Sequence, residues 1–294
     1  MKLPAWLGGQ PKKKQCVCLI GTELATFRDT RGFDHGVIID TKRRQATLLA
    51  SLDAEFSDDS WRSFVTDIAA DRDLACLSRI TGDGVPIVSA TFRATEKQDK
   101  KDTSAFMASR AVQADSLMTA ASANGVRLTP LDRQAVREYA QAIWANGMPA
   151  NQWPPVADDI DETDATLCRV HGSGQTYSVA FEADISTSAG LSGLLRSVAQ
   201  QAPDVIRYAE IVRPAVADLA EDTEVGRTVG LVTVYGEYPA DVAEETDGLM
   251  QAVGAHGRLR LHRLIGRQQV GLITGAGLGA LAWQQLQMTG KAAV

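Results

Sequence analysis

Cysteine is scarce in this chain, and its spacing excludes most of what cysteine does. Cys16, Cys18, Cys76 and Cys168 are all there are. The C-V-C pair is too tight for a zinc knuckle and has no second pair to complete one, so a metal centre is not expected. Its simpler reading is two residues on one face of a strand. No disulfide framework emerges either. The N-terminus MKLPAWLGGQPKKK carries Lys12 to Lys14 but no apolar stretch behind them, so a reducing compartment is expected. Long hydrophobic runs are missing as well. The longest weakly polar stretch, Val270 to Trp283, is about 14 residues where a bilayer takes about 20. A net charge of −6, with the basic residues dispersed, lacks the continuous basic face of a dedicated nucleic-acid binder.

Catalytic patterns are absent too. No G-x-S-x-G precedes a helix, and no serine or cysteine sits in a nucleophile context. The histidines, His35, His171, His256 and His262, have no HExxH or HxE setting. Asp158, Asp159, Asp161 and Asp164 lie in ADDIDETD without the spacing or closing glutamate of a calcium loop, and read as a solvated acidic linker. Tyr235 and Tyr238 could offer stacking platforms for RNA, but the ribonucleoprotein signature is missing. The expectation is therefore no catalytic, cofactor-binding or metal-binding residue, no cofactor, and no nucleic-acid partner.

What the chain does have is order. GVIIDTKRRQATLLASLD (36–53) reads as a hairpin, and DDSWRSFVTDIAADRD as a helix with Trp61, Phe64, Val65 and Ile68 on one face and Asp58 and Asp59 at its positive end. LACLSRI and VPIVSATFRAT form a second hairpin around TGDG. TSAFMASRAVQADSLMTAASANG is a long helix that Asn124 and Gly125 stop. VRLTP adds a strand and LDRQAVREYAQAIWANG a helix. ATLCRVHG, TYSVAFEAD, STSAGLSGLLRSVAQQ, VIRYAEIVRP, TVGLVTVYGEY, ADVAEETDGLMQAVGAHG, RLRLHRL and GRQQVGLITGAG then repeat the order β-β-α-β-β-α-β-α.

The match extends to letters where each half closes: GVRLTPLDRQAV (125–136) against GRLRLHRLIGRQQV (257–270), with Arg133-Gln134 facing Arg267-Gln268. Internal duplication is the simplest cause. Within each half β-α-β-β-α-β is the ferredoxin-like order. The expected fold is α+β: two tandem, internally duplicated ferredoxin-like units, antiparallel sheets covered by helices. Residues 1–32 would be an N-terminal extension, 33–150 the first unit, 151–164 a Pro/Asp-rich linker, 165–283 the second unit and 284–294 a tail. By this reading Gly275, Gly277 and Gly279 mark where the last helix frays and the chain leaves. A phosphate loop would need its glycines after a strand and before a helix.

LHRLIGRQQVGLITGAGLGAL, with GVIIDTKRRQATLLASL and NGVRLTPLDRQAV, resembles the C-terminal soluble part of EccE, a core component of actinobacterial type VII (ESX) secretion complexes. The likeness covers most of residues 33–281; the layout is also similar to proteins of actinobacterial conjugative elements. It implies a non-enzymatic subunit at the periphery of a membrane complex, on the cytoplasmic side of the plasma membrane, in contact with other core components. EccE-like proteins usually begin with two transmembrane helices, whereas this sequence starts at MKLPAWLGG: either those helices were left out or lost, or the chain is a soluble variant that docks through partners. Membrane association through partners is the expectation. Two other readings are an accessory protein of a conjugative element, and a ligand-binding protein or enzyme using a groove between the halves.

Overall fold

The computed structural model describes residues 21–53, 56–82, 84–96, 102–143, 153, 160–164, 166–171, 175–185, 189–214 and 227–281. The chain is α+β. All its described strands join one antiparallel sheet, and helices lie on both faces.

The first half contributes β1 (Thr22–Arg28), β2 (Asp34–Asp40), β3 (Gln45–Leu52), α1 (Asp58–Ile68), β4 (Leu74–Thr81), β5 (Ile87–Arg93), α2 (Thr103–Ala123), β6 (Leu128–Pro130) and α3 (Arg133–Ile143). The second contributes β7 (Ile160–Asp164), β8 (Leu167–His171), β9 (Gln175–Ala183), α4 (Ala189–Gln201), β10 (Ile206–Arg213), β11 (Arg227–Gly236), α5 (Pro239–Ala252), a short α6 (Gly254–Arg258), β12 (Leu261–Arg263) and α7 (Gln268–Gly275). The sheet runs β1-β2-β3-β5-β4-β10-β11-β9-β8-β7, with β6 beside β3 and β12 beside β9.

Read outward from the β4·β10 seam, the two halves pair their strands in the same order. The closing strands also make the same bonds. Asp53 N donates to Arg127 O and Asp184 N to Arg260 O; Leu131 N donates to Leu49 O and Leu264 N to Ala180 O. Even the flanking ion pairs correspond, Arg127 with Asp53 at 3.9 Å and Arg260 with Asp184 at 3.7 Å.

Local signals explain the elements. Ser57 caps α1 by accepting from Ser60 N at 3.0 Å, and Asp102 caps α2 by accepting from Ser104 N at 2.8 Å, each satisfying an N–H that the helix leaves free. α2 ends as expected: Gly125 has φ +71° and Val126 N reaches back to Ala121 O, a Schellman closure. Trp61, Phe64 and Ile68 are buried together on α1, as their spacing requires.

Alternation along the strands sends side chains to two different interiors. On one face, α1 and α2 cover a core of the first half built on Leu48, Leu77, Val88 and Phe92. α4 and α5 cover a separate core of the second half built on Val179, Phe181, Val232 and Val234. The opposite face carries a single apolar cluster that spans both halves and includes Ile38, Leu49, Ile80, Ala209, Leu231, Val136 of α3 and Leu272 of α7.

Several expectations change here. β1 lies inside the stretch expected as an N-terminal extension, and β7 inside the stretch expected as linker. Of RLRLHRL only Leu261–Arg263 is strand, because Gly254–Arg258 forms α6 first. The strands do not stay in two sheets, since β4 and β10 pair edge to edge. α3 and α7 sit across the sheet from the other long helices. Cys16, Cys18, Lys12 to Lys14, Asp158, Asp159 and the tail 284–294 lie outside the described residues.

The three glycines also behave differently from a fraying helix end. After α7 the chain does not leave: Ala276, Leu278, Ala280 and Leu281 are buried, and this strap crosses onto the first half. Ser89 donates to Gly277 O at 2.5 Å and Tyr139 to Ala276 O at 2.9 Å. Gly277 and Gly279 take φ of +67° and +90°, which other residues adopt only with strain. A Cβ on Gly277 would land on Ile80 Cδ1, and one on Gly279 would stand 2.6 Å from Thr47 Oγ1. The glycines permit backbone to lie directly on the sheet.

Two glycine substitutions should therefore diverge. Gly277→Ala combines left-handed backbone with overpacking, and should cost about 1–3 kcal/mol. Gly248→Ala, in the middle of α5 with nothing within 4 Å of its added methyl, should gain about 0.5–1 kcal/mol. Urea denaturation of the two variants measures both; equal effects would mean that the strap is not seated.

Candidate functional site

Where the two cores of the helical face meet, the lining turns polar. β4 and β10 pair through Leu77↔Val212, Ser78↔Ile211, Arg79↔Glu210, Ile80↔Ala209 and Thr81↔Tyr208, so the middle pair is a cation opposite an anion on the face beneath α1 and α4. Asp58, the first residue of α1, and Ser192 and Arg196 of α4 complete the group. It joins residues from both halves.

Arg196 is the hub. Its Nη1 donates to Asp58 Oδ1 at 2.9 Å and its Nη2 to Glu210 Oε2 at 3.3 Å. Ser192 Oγ donates to the same Glu210 oxygen at 2.8 Å and receives the Tyr208 hydroxyl at 2.9 Å. Arg79 is held differently. Only 8% of it is exposed, and its guanidinium lies over the rings of Phe56 and Trp61, 4.5 and 5.3 Å from their centroids, in cation–π contact. Its Nη1 stands 3.7 Å from Asp58 Oδ1, beyond hydrogen-bond reach.

The charges respond as the geometry dictates. Burial, then the neighbouring Arg196, lowers the Arg79 pKa to about 10, against the pull of Glu210 and Asp58. Arg79 remains a cation at neutral pH. Burial works against the Asp58 carboxylate, but the Arg196 hydrogen bond and the charges of Arg196, Arg79 and Arg62 outweigh it and lower its pKa. Burial and then Glu210 raise that of Tyr208, against the Ser192 bond, so it stays a neutral donor. Two cations face two anions here.

The residues singled out from the sequence do not converge on this place. Cys76 is buried in β4, where burial pushes its thiol up to about 11, an unreactive form at neutral pH. Cys168 is buried too. His256 and His262 are exposed, and His171 ends β8. Asp161 and Asp164 are β7 residues. Tyr235 stands under Arg207 and hydrogen-bonds it; Tyr238 is exposed at the start of α5. Gln268 is fully buried, where it accepts from Ala180 N at 2.5 Å and donates to Leu264 O at 2.8 Å, while Gln134 donates to Glu138 and accepts from Arg137, both on its own helix. Among the described residues no group of three His, Cys, Asp or Glu could hold a metal ion, and no helix is long and apolar enough to cross a membrane.

His35 has a buried partner. Its Nε2 lies 3.1 Å from Asp29 Oδ2 and its ring stacks on Phe27 at 4.9 Å. Asp29 also accepts from Phe33 N at 2.8 Å and Arg31 Nη2 at 3.0 Å. Burial opposes the charge on Asp29, but the bonds from His35, Phe33 and Arg31, with the Arg31 charge, hold its pKa at about 2.

Sequence reasoning missed the seam itself. Asp58 drew attention only as a favourable helix-start charge. The available signal was an arginine in the apolar run LACLSRIT and a glutamate in IRYAEIVR, since charges rarely occupy central strands without a partner.

Two tests follow from these clusters. Arg196→Met strands Glu210 and releases Asp58; breaking a buried pair costs about 3–5 kcal/mol, and partial solvent access here places the loss toward the lower end of that range. Chemical denaturation gives the value, and a loss below 1 kcal/mol would reduce the seam to a surface pair, the range of exposed ion pairs being about 0–1. Asp29 has a folded pKa below its unfolded one, so its contribution is fully present above pH 3.8 and fades as pH falls toward about 2. The stability gap between wild type and Asp29→Asn should be constant near neutrality and shrink across that window in acid titrations.

No family model matches the chain, and no curated protein matches it. Among solved structures, one similar chain is CrmK, a flavoenzyme involved in the shunt product recycling mechanism in caerulomycin biosynthesis. The identity is 7%, the TM-score 0.32, and the match covers 80% of this chain and 55% of that one. The chain thus spans about half the length of that structure, and a TM-score of 0.32 carries no argument about fold or function.

Proposed function

We propose that this chain is a non-catalytic structural subunit of a bacterial secretion membrane complex, resembling EccE of type VII (ESX) secretion, held peripherally at the cytoplasmic side of the plasma membrane by other core components. Its two halves are read as duplicated ferredoxin-like units. The neighbour order β6-β3-β5-β4, repeated as β12-β9-β11-β10, supports that reading, because a β-α-β-β-α-β chain in the order fourth, first, third, second is the ferredoxin-like arrangement. So do the matched hydrogen bonds at β6 and β12.

The observation that carries the scaffold reading is the use made of the stretch on which the EccE resemblance rests. Leu261–Leu281 supplies a strand of the second half, a helix over β9 and β11, and the strap onto the first half. Its conspicuous residues are spent on joining halves into a broad platform. Buried charges fasten elements as well: Arg110 Nη2 bonds Asp73 at 2.7 Å within the first half, holding α2 to the start of β4, and the Arg196 seam fastens α4 to α1 across the halves.

The platform also offers a face to proteins. Leu259 and Ile265, at either end of β12, are 78% and 65% exposed, and Arg258, His262 and Arg263 around them are exposed too. Apolar anchors rimmed by cations suit an acidic-apolar partner surface.

Affinity purification of the chain from actinobacterial membranes tests the reading. Wild type should retain secretion-complex core components, and Leu259→Asp/Ile265→Asp should lose them at an unchanged melting temperature. Retention of conjugation proteins instead, or of no membrane component at all, would overturn it.

A further inference from the structure

The seam contains more donors than its own acids satisfy. Arg79 is more than nine-tenths buried, yet its Nε and Nη1 make no hydrogen bond, and neither do the buried Nε of Arg196 and Nε1 of Trp61. A buried guanidinium with unmet donors costs free energy unless something accepts from it. Arg196, by contrast, bonds two carboxylates. Arg79 Nη1 faces Asp58, the first residue of the 11-residue helix α1, so this unmet donor lies at a helix N-terminus, where the backbone dipole already favours negative charge. Phe56 and Trp61 form the wall behind the guanidinium. Asp58 itself is 60% exposed along its side chain, so its carboxylate borders solvent.

We propose that Arg79, Arg196 and the first turn of α1 form a binding site for a phosphate-type oxyanion, which enters by displacing the Asp58 carboxylate. Asp58 occupies the place of the ligand in the closed state. A carboxylate arriving from solution gains little over it, because an intramolecular group acts at an effective concentration in the millimolar range. A phosphate-type dianion brings a second charge and further acceptor oxygens, enough to engage both guanidinium groups, which match such oxygens in geometry. Entry replaces the two Asp58 contacts, 2.9 Å to Arg196 Nη1 and 3.7 Å to Arg79 Nη1, with hydrogen bonds that also reach donors that now have none. The inference rests on the geometry of the seam alone and is independent of the secretion-complex reading.

Inorganic phosphate is the probe, titrated into the full chain by calorimetry and by thermal melting, against sodium chloride at matched ionic strength. Wild type should bind saturably and melt higher with phosphate. Asp58→Asn, which withdraws the internal competitor, should bind at least about tenfold tighter. Arg79→Met removes a poorly paired buried charge, so it should fold with melting in chloride equal to or above wild type, and its phosphate response should vanish. Arg79→Lys, which keeps the charge but not the planar fork, should bind more weakly than wild type. Phosphate binding that survives Arg79→Met unchanged, or no saturable binding by a folded Asp58→Asn up to about 10 mM, would overturn the site.

Discussion

The backbone pairing of β4 with β10 is the constraint on which the molecule depends. Each half alone would end its sheet at that strand, with a row of unpaired N–H and C=O groups. Joined antiparallel through Leu77–Thr81 and Tyr208–Val212, they make one sheet that has to be covered on two faces. Coverage then differs by face. The helical face keeps two cores, one for each half, and a polar seam fills the groove between them. The other face has one apolar cluster across both halves, and the small side chains under the strap, Thr47, Ser89 and Thr91, let the backbone approach.

Much of this is legible in the letters, for physical reasons that can be named. Trp61, Phe64 and Ile68 recur at helical spacing because α1 has a single dry stripe. Asn124-Gly125 marks a helix end because glycine tolerates φ +71° there. The closing strands repeat because the same residues, Leu131 and Leu264, make the same bond to the third strand of each half. What stays hidden depends on distant partners. β1 is half exposed along TELATFR, so its pattern resembles an extension, and β7 is the acidic IDETD, which reads as linker. Both are edge strands, held by one neighbour's backbone rather than by a side-chain pattern.

The candidate site follows the same division. Period and composition place Arg79 in an apolar strand but say nothing of Glu210 across the seam, more than a hundred residues away. Helix-start chemistry explains Asp58 without Arg196. Only the pairing of the two halves puts the four together, at a place where ordinary core residues would have merged two interiors into one. The glycines near the end mislead for a related reason. Gly-rich letters after a helix usually mean departure, but here they mean close approach, and the difference lies in Ile80 and Thr47 beneath them.

The strap has a consequence for how the protein is made. Ala276–Leu281 is among the last of the described chain to leave a ribosome, yet it lies on strands that leave among the first. At roughly 5–20 residues per second the first half waits on the order of ten to thirty seconds after α3 emerges before that cover arrives. During this interval Ile80, Leu49 and Ile87 face water, or whatever chaperone shields them. The early half is thus committed to its partner half by synthesis order: it can complete its helical core at once, but its second face closes only once the chain through Leu281 has emerged.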